Sequence, residues 1–201
     1  MLILISPEKN TSNELAMLHD FFAMGLSCFH LRKPSMELEE YRKYIEAIDP
    51  KYHDRIVIHT HHTLVKDFAL KGIHFREEDR IKYIDDPSNY FMGLPMYGKT
   101  ISSSFHALET LENCSFEFDY HFLSPVFSSI SKEGYPGKGF EVHNSSKTII
   151  GLGGADRDNF EEFEVLGYAG VAFLGGIWNS KTPRDTFKFI FSAFTKRDYT
   201  Y

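Results

Sequence analysis

The side chains of this sequence best suited to chemistry fall in a few short clusters. From Phe118 to Phe140 an apolar run ends at Ser124-Pro125, hydroxyls follow at Ser128, Ser129 and Ser131, then Lys132, with glycines at Gly134, Gly137 and Gly139. Glycines let a backbone curl round a ligand and present N–H groups to it, so such a loop suits an oxyanion, phosphate above all. Gly151-Leu152-Gly153-Gly154 and Gly175-Gly176 offer the same close backbone approach. Arg32 and Lys33 could grip a second anionic group, the arginine as a planar fork and the lysine as a point charge.

The histidines raise two further chemistries. His59-Thr60-His61-His62 invites a metal, but adjacent residues on a strand end point in alternating directions and cannot all face one ion. With no matching carboxylate or thiolate spacing, a surface or pocket-lining role is the favoured reading. His30, His74, His106 and His121 lie in or beside apolar runs, and imidazole is the natural general acid/base near neutral pH, so at least one is expected to face a substrate. Asp79, after Glu77 and Glu78, either binds magnesium or charges the start of a helix.

These groups need a scaffold, and length and patterning bound it. The chain has 201 residues and a formal charge of -6, which suits one globular domain over 1–201 and argues against a nucleic-acid partner. No basic amphipathic stretch suggests a membrane surface. Cys28 and Cys114 read as unbridged thiols in a reducing compartment. The start of the chain has no basic segment before its short apolar run, and no run approaches a spanning helix, so a cytoplasmic location is expected.

Short apolar runs recur at Leu2 to Ile5, Cys28 to Leu31, Arg55 to Ile58, Ile73 to Phe75, Thr100 to Ser103, Tyr120 to Leu123, Thr148 to Leu152 and Gly170 to Leu174. Nearly all are followed by a helical pattern. Thr11 to Glu14 offers a capping box before Leu15, Leu18, Phe21 and Phe22, Ser35 caps a second helix, Leu64 to Leu70 forms a third, and Asp158 to Leu166 a late one. From Asp85 to Gly98 the pattern assigns no element. Eight strands with helices between them predict a single-domain α/β (β/α)₈ TIM barrel with short loops, with an open doubly wound sheet as runner-up. Barrel active sites lie at the C-terminal strand ends, and there the polar clusters gather. Gly153, Gly154, Gly175 and Gly176 end the last two strands, the usual phosphate position.

In order and spacing, these segments resemble the thiamine phosphate synthase and TenI family from the first strand to the last helix. Gly72-Ile73-His74-Phe75 with Glu78-Asp79 is similar to its G-V-H-L…E-D segment, and Ser104-Phe105-His106 to its S-x-H turn. Asp119-Tyr120 with Ser124 to Phe127 is similar to D-Y…G-P-V-F, and Gly153-Gly154, Asn159 and Gly167 to Val171 to its closing G-G-x…N…G-A-x-G-V. The resemblance implies a barrel that takes a small-molecule thiazole phosphate, with the phosphate on Gly153, Gly154 and the Gly175 turn. A homodimer is left open.

Two activities live in that family. The synthase joins a pyrimidine pyrophosphate to thiazole phosphate with magnesium, and its Q-x-R-x-K motif stands here as His30-Leu31-Arg32-Lys33-Pro34. Its Asn-Asp after the third strand is matched by His59-Thr60, which removes one magnesium carboxylate, while Asp79 keeps the other if the synthase reading holds. The TenI-like branch aromatises the thiazole by moving a proton and needs no cofactor. Ser131-Lys132…Gly134…Gly137-Lys138-Gly139 is similar to that branch's S-K-x-G-x-x-G-x-G loop, and the TenI-like branch is favoured on it. Pro125 stands where some tautomerases carry a histidine, so His30 or His121 is expected to substitute as the catalytic group, with Lys132. Arg32, Lys33, His59, Ser104, Ser129 and Ser131 are the expected substrate contacts. The third possibility is a non-catalytic binder of thiazole or thiamine phosphate.

Overall fold

The computed structural model of the chain describes residues 1–84, 87–128 and 136–197. Its centre is a closed barrel of eight parallel strands in sequential order, β1 Leu2–Ile5, β2 Phe29–Leu31, β3 Ile56–Ile58, β4 Gly72–Phe75, β5 Thr100–Phe105, β6 Tyr120–Leu123, β7 Ile149–Leu152 and β8 Gly170–Phe173. The last strand pairs with the first, Leu2 opposite Val171 and Leu4 opposite Phe173. Closure excludes the doubly wound alternative.

Side chains alternate across these strands, so each strand feeds two apolar layers. Ile3, Ile5, Cys28, Val57, Tyr120, Phe122, Ile150 and Ala172 fill the barrel. The intervening Leu2, Leu4, Phe29, Leu31, Ile56, Ile58, Ile73, Phe75 and Phe173 pack outward. They meet α1 Glu14–Ala23, α2 Leu38–Glu46, α3 Glu77–Tyr83, α4 Pro87–Phe91, α5 Leu108–Glu112, α6 Glu162–Val165, α7 Gly175–Trp178 and α8 Pro183–Arg197. The first and last long helices close the ring on each other, with Phe21 of α1 4.6 Å from Phe187 of α8 between ring centres. Among the described residues no helix is long and apolar enough to cross a membrane.

Several local expectations give way to tertiary context. The segment expected to be helical from Leu64 to Leu70 forms only a 3-10 turn, His62–Lys66. The second helix is capped by Glu37 with Glu40, not by Ser35. Asn13 at the start of α1 is left-handed and makes no side-chain cap. Glu14 does accept from the Thr11 amide at 3.2 Å, but it is buried and is drawn chiefly to Lys33. The late helix shrinks to α6 because Asn159 turns back, donating to the Gly154 carbonyl at 2.8 Å. The stretch left unassigned from Asp85 to Gly98 contains α4.

Candidate functional site

A cavity of about 510 Å³ opens at the C-terminal ends of the strands. Its apolar floor is Ile5, Phe122, Leu152, Ala172 and Leu174. One wall is glycine: Gly153 and Gly154 end β7 with φ of 104° and 70°, where side chains are strained. Gly176 approaches so closely that a Cβ there would lie 2.1 Å from the Ala155 carbonyl oxygen. The sequence placed all four glycines, Gly153, Gly154, Gly175 and Gly176, and all four line the cavity.

The opposite wall is charged. Arg32 lines it and pairs with Glu8, while its backbone is clamped to Ser6, the Arg32 amide donating to Ser6 Oγ at 2.7 Å. Arg76, Glu77 and Glu78 follow at the end of β4. Arg76 holds Glu78 at 2.6 Å and Asp79 at 2.7 Å. Lys33 is elsewhere: its side chain is out of water, 2.8 Å from Glu14 Oε1, which also accepts from the Tyr44 hydroxyl at 2.6 Å. The expected basic pair is thus split, because consecutive residues leaving a strand point to opposite sides.

Three histidines converge below this wall. His30 of β2 and His59, which follows β3, share a hydrogen bond of 2.9 Å between Nδ1 and Nε2. Nε2 of His30 meets the Tyr120 hydroxyl at 2.7 Å. His74 of β4 bonds Ser102 and Ser104, each at 2.8 Å. Burial drives His30 down to about 3 and holds His59 and His74 well below the ordinary histidine value, desolvation being the largest cause for each. His59 and Ser104 reach the cavity, whereas His30 is fully buried beneath it.

His121 is on the outer face of β6. Its ring packs against Phe105 and Phe118, and its Nδ1 lies 3.3 Å from the Thr148 carbonyl. The alternation that points Tyr120 and Phe122 into the barrel points His121 away from it. Ser129, Ser131 and Lys132 lie outside the described residues.

His106 was one of four candidate acid/base histidines in the sequence and was given no catalytic or binding role. It lines the cavity from just beyond β5. Its Nδ1 is 3.1 Å from the Ser124 carbonyl and 3.0 Å from the Ser124 hydroxyl. Glu77 flanks it, accepting from its backbone amide at 3.2 Å and lying 4.0 Å from its Nε2. A carbonyl can only accept, so Ser124 places the ring proton on Nδ1 and leaves Nε2 with the lone pair. The Ser104-x-His106 spacing was the available signal, because two residues apart on a strand end share a face.

The closed parallel barrel and its cavity define a (β/α)₈ protein with its site where such barrels keep theirs. The chain belongs to the thiamine monophosphate synthase family, whose model matches residues 2–177. A thiamine-phosphate synthase of Leuconostoc citreum is 23% identical over 180 residues, covering 83% of this chain and 82% of that protein. The fold is similar to the crystal structure of a Bacteroides thetaiotaomicron thiamine phosphate pyrophosphorylase, TM-score 0.72 at 24% identity over 96% and 97% of the two chains. It is similar also to the Pyrococcus furiosus thiamine phosphate pyrophosphorylase, TM-score 0.75 at 15% identity over 97% and 95%.

The magnesium that the synthase activity implies asks for several oxygen ligands in near-octahedral order. The residues at the expected positions fit it poorly. His59-Thr60 offers no carboxylate, and Asp79 and Glu78 are both turned onto Arg76. Glu77 is engaged by the His106 amide and by Arg80 at 3.5 Å.

Proposed function

We propose that this chain is a thiamine-biosynthetic isomerase of the TenI-like branch, binding a thiazole phosphate in the cavity and aromatising its ring by proton transfer. The observation that carries this reading is the His106 imidazole, held on the cavity wall by Ser124 with Glu77 behind it. Pro125 stands after β6 where some tautomerases carry a histidine, and His106 is bonded to Ser124 next to it. A strand-5 side chain thereby takes the place of a strand-6 one.

In the proposed reaction the phosphate rests against Gly153, Gly154, Gly175 and Gly176, where no side chain keeps it from the backbone. Nε2 of His106 takes a proton from one position of the heterocycle, and Glu77 stabilises the imidazolium so formed. The same proton returns at another position, so the atoms balance without a co-reactant. Arg32 faces the substrate's second anionic group. Floor residues such as Phe122 and Leu174 exclude water from the ring.

The charge on the wall also bears on the choice. Glu8, Glu77 and Glu78 outnumber Arg32 and Arg76 along it, a surface better suited to a monophosphate held on the glycine side than to a departing pyrophosphate as well. The synthase remains the second reading, favoured by the names of the relatives. Purified protein given thiazole phosphate carboxylate, with and without pyrimidine pyrophosphate and magnesium, tests the choice. Metal-independent isomerisation is the expected result. Magnesium-dependent formation of thiamine phosphate would overturn it, and tight binding without turnover would leave a binder.

A further inference from the structure

The three buried histidines have a geometry that the isomerase chemistry does not use. His30, His59 and His74 come from three neighbouring strands, and one ring nitrogen from each lies within 4.8 Å of the others. Their ring centres are 5.1, 5.2 and 4.2 Å apart. With zinc about 2.0–2.1 Å from each nitrogen and the nitrogen roughly 1 Å from its ring centre, rings sharing one tetrahedral ion stand about 5 Å apart. Both separations from His30 are of that size, and the stacked His59 and His74 rings, 4.2 Å apart, have to spread as the ion enters.

We propose that His30, His59 and His74 form a three-nitrogen site for a borderline divalent transition metal of the zinc class, with its open position on the cavity side. Two chemical features support it beyond the distances. Ligating histidines hold their second nitrogen with an outer partner, as His30 does with Tyr120 and His74 with Ser102 or Ser104. Nδ1 of His59 is buried and has no partner among the described residues, so it can carry the ring proton while Nε2 ligates.

No proton needs to leave the cluster. On binding, His30 keeps its hydrogen on Nε2, donating to the Tyr120 oxygen, and the hydrogen that His59 shares from Nε2 with His30 in the free protein moves to Nδ1 of the same ring. The ion replaces the shared proton between Nδ1 of His30 and Nε2 of His59, and that 2.9 Å contact opens by a few tenths of an ångström to roughly the separation in a tetrahedral site. His59 lines the cavity while His30 is sealed below, so the fourth position faces a ligand oxygen or water. Nitrogen-only donors select against magnesium, which takes oxygen.

The test uses the full chain stripped with a chelator, titrated with zinc against a chromophoric competitor and with cobalt as a spectroscopic probe. One zinc per chain and the intense visible bands of four-coordinate cobalt are expected, with no competition from magnesium. His30→Gln and His59→Asn restore the residues of the family pattern, so they test ligation in chains expected to fold, with circular dichroism as the check. Each should abolish the cobalt bands and weaken zinc at least 100-fold. Tyr120→Phe should weaken it about 10–100-fold through the outer contact. His143→Ala, at an exposed histidine, should change nothing. Zinc bound no more tightly than by the His30→Gln variant, or cobalt bands surviving in both folded variants, would overturn the site.

Discussion

Nδ1 of His106 lies 3.0 Å from the hydroxyl of Ser124, so a ring carried by the end of β5 is fastened to the end of β6. This fixes the imidazole over the cavity with Nε2 unbonded by Ser124. His106→Asn should lower kcat for thiazole isomerisation by about 10²–10⁴. The dissociation constant for thiazole phosphate should change little, since the loss falls on the proton in flight. Glu77→Gln should cost less, because it removes the partner of the imidazolium and leaves the base in place. Single-turnover kinetics beside equilibrium binding separate the two effects, and a purely weaker affinity in His106→Asn would remove it from the proton transfer.

Lys33 gives a contrasting case, a cation that the sequence assigned to the ligand and that the fold uses internally. Its ammonium and the Glu14 carboxylate are both shut off from water. Burial still pulls Lys33 below its ordinary value, the contacts with Glu14 opposing that shift. Removing one partner strands the other charge, so Glu14→Gln or Lys33→Met should each lose about 3–5 kcal/mol of stability. The double variant should lose less than the sum of the singles. Urea midpoints test this, and the folded fraction of Lys33→Met should bind thiazole phosphate like the parent.

The fold was legible because strand burial is a local signal here. Leu2 to Ile5 and Tyr120 to Leu123 are apolar runs bounded by turn residues, and their ends coincide with β1 and β6. Eight such runs favour closure, and the pairing of β1 with β8 decides it against an open sheet. The glycine wall was legible for the same reason, since Gly153-Gly154 ends a strand and its position in a barrel follows. What the chain order concealed was facing. His30 and His121 look alike in sequence, each flanked by aromatic and apolar neighbours, yet one points into the barrel and the other into the helix layer. The histidine trio was hidden differently: His61 turns to the Met36 carbonyl and His62 to Tyr90, while the ring partners of His59 come from adjacent strands. A search for metal ligands by sequence spacing cannot find a site assembled across strands.

The glycine wall yields a steric prediction. At Gly154 φ is 70° and an added Cβ would sit 2.6 Å from both Phe127 Cβ and the Ser128 carbonyl oxygen. Gly154→Ala therefore strains the backbone and displaces Phe127 and Ser128 after β6. Stability should fall by about 1–3 kcal/mol. Affinity for thiazole phosphate should drop at least tenfold, while inorganic phosphate at millimolar concentration protects the parent from thermal unfolding and fails to protect the variant. Equal protection of both proteins would separate the wall from phosphate binding.

His121 supplies a pH dependence whose sign follows from its burial. Desolvation is the largest cause lowering its value in the folded chain, its hydrogen bond to Thr148 opposing. As pH falls below about 6.5, the ordinary histidine value, the unfolded chain takes up a proton at this position before the folded one does. Stability from this group is therefore whole above about 6.5 and drains as pH falls toward the folded value, by at most about 1.4 kcal/mol per pH unit. His121→Gln removes the titration and leaves a side chain able to donate to Thr148. Urea unfolding at pH 7 and pH 5 should show a smaller loss in the variant than in the parent, and turnover at pH 7.5 should match the parent because the residue faces Phe105 and Phe118. If turnover collapsed in a stable His121→Gln protein, the outward placement of this histidine would have to be abandoned.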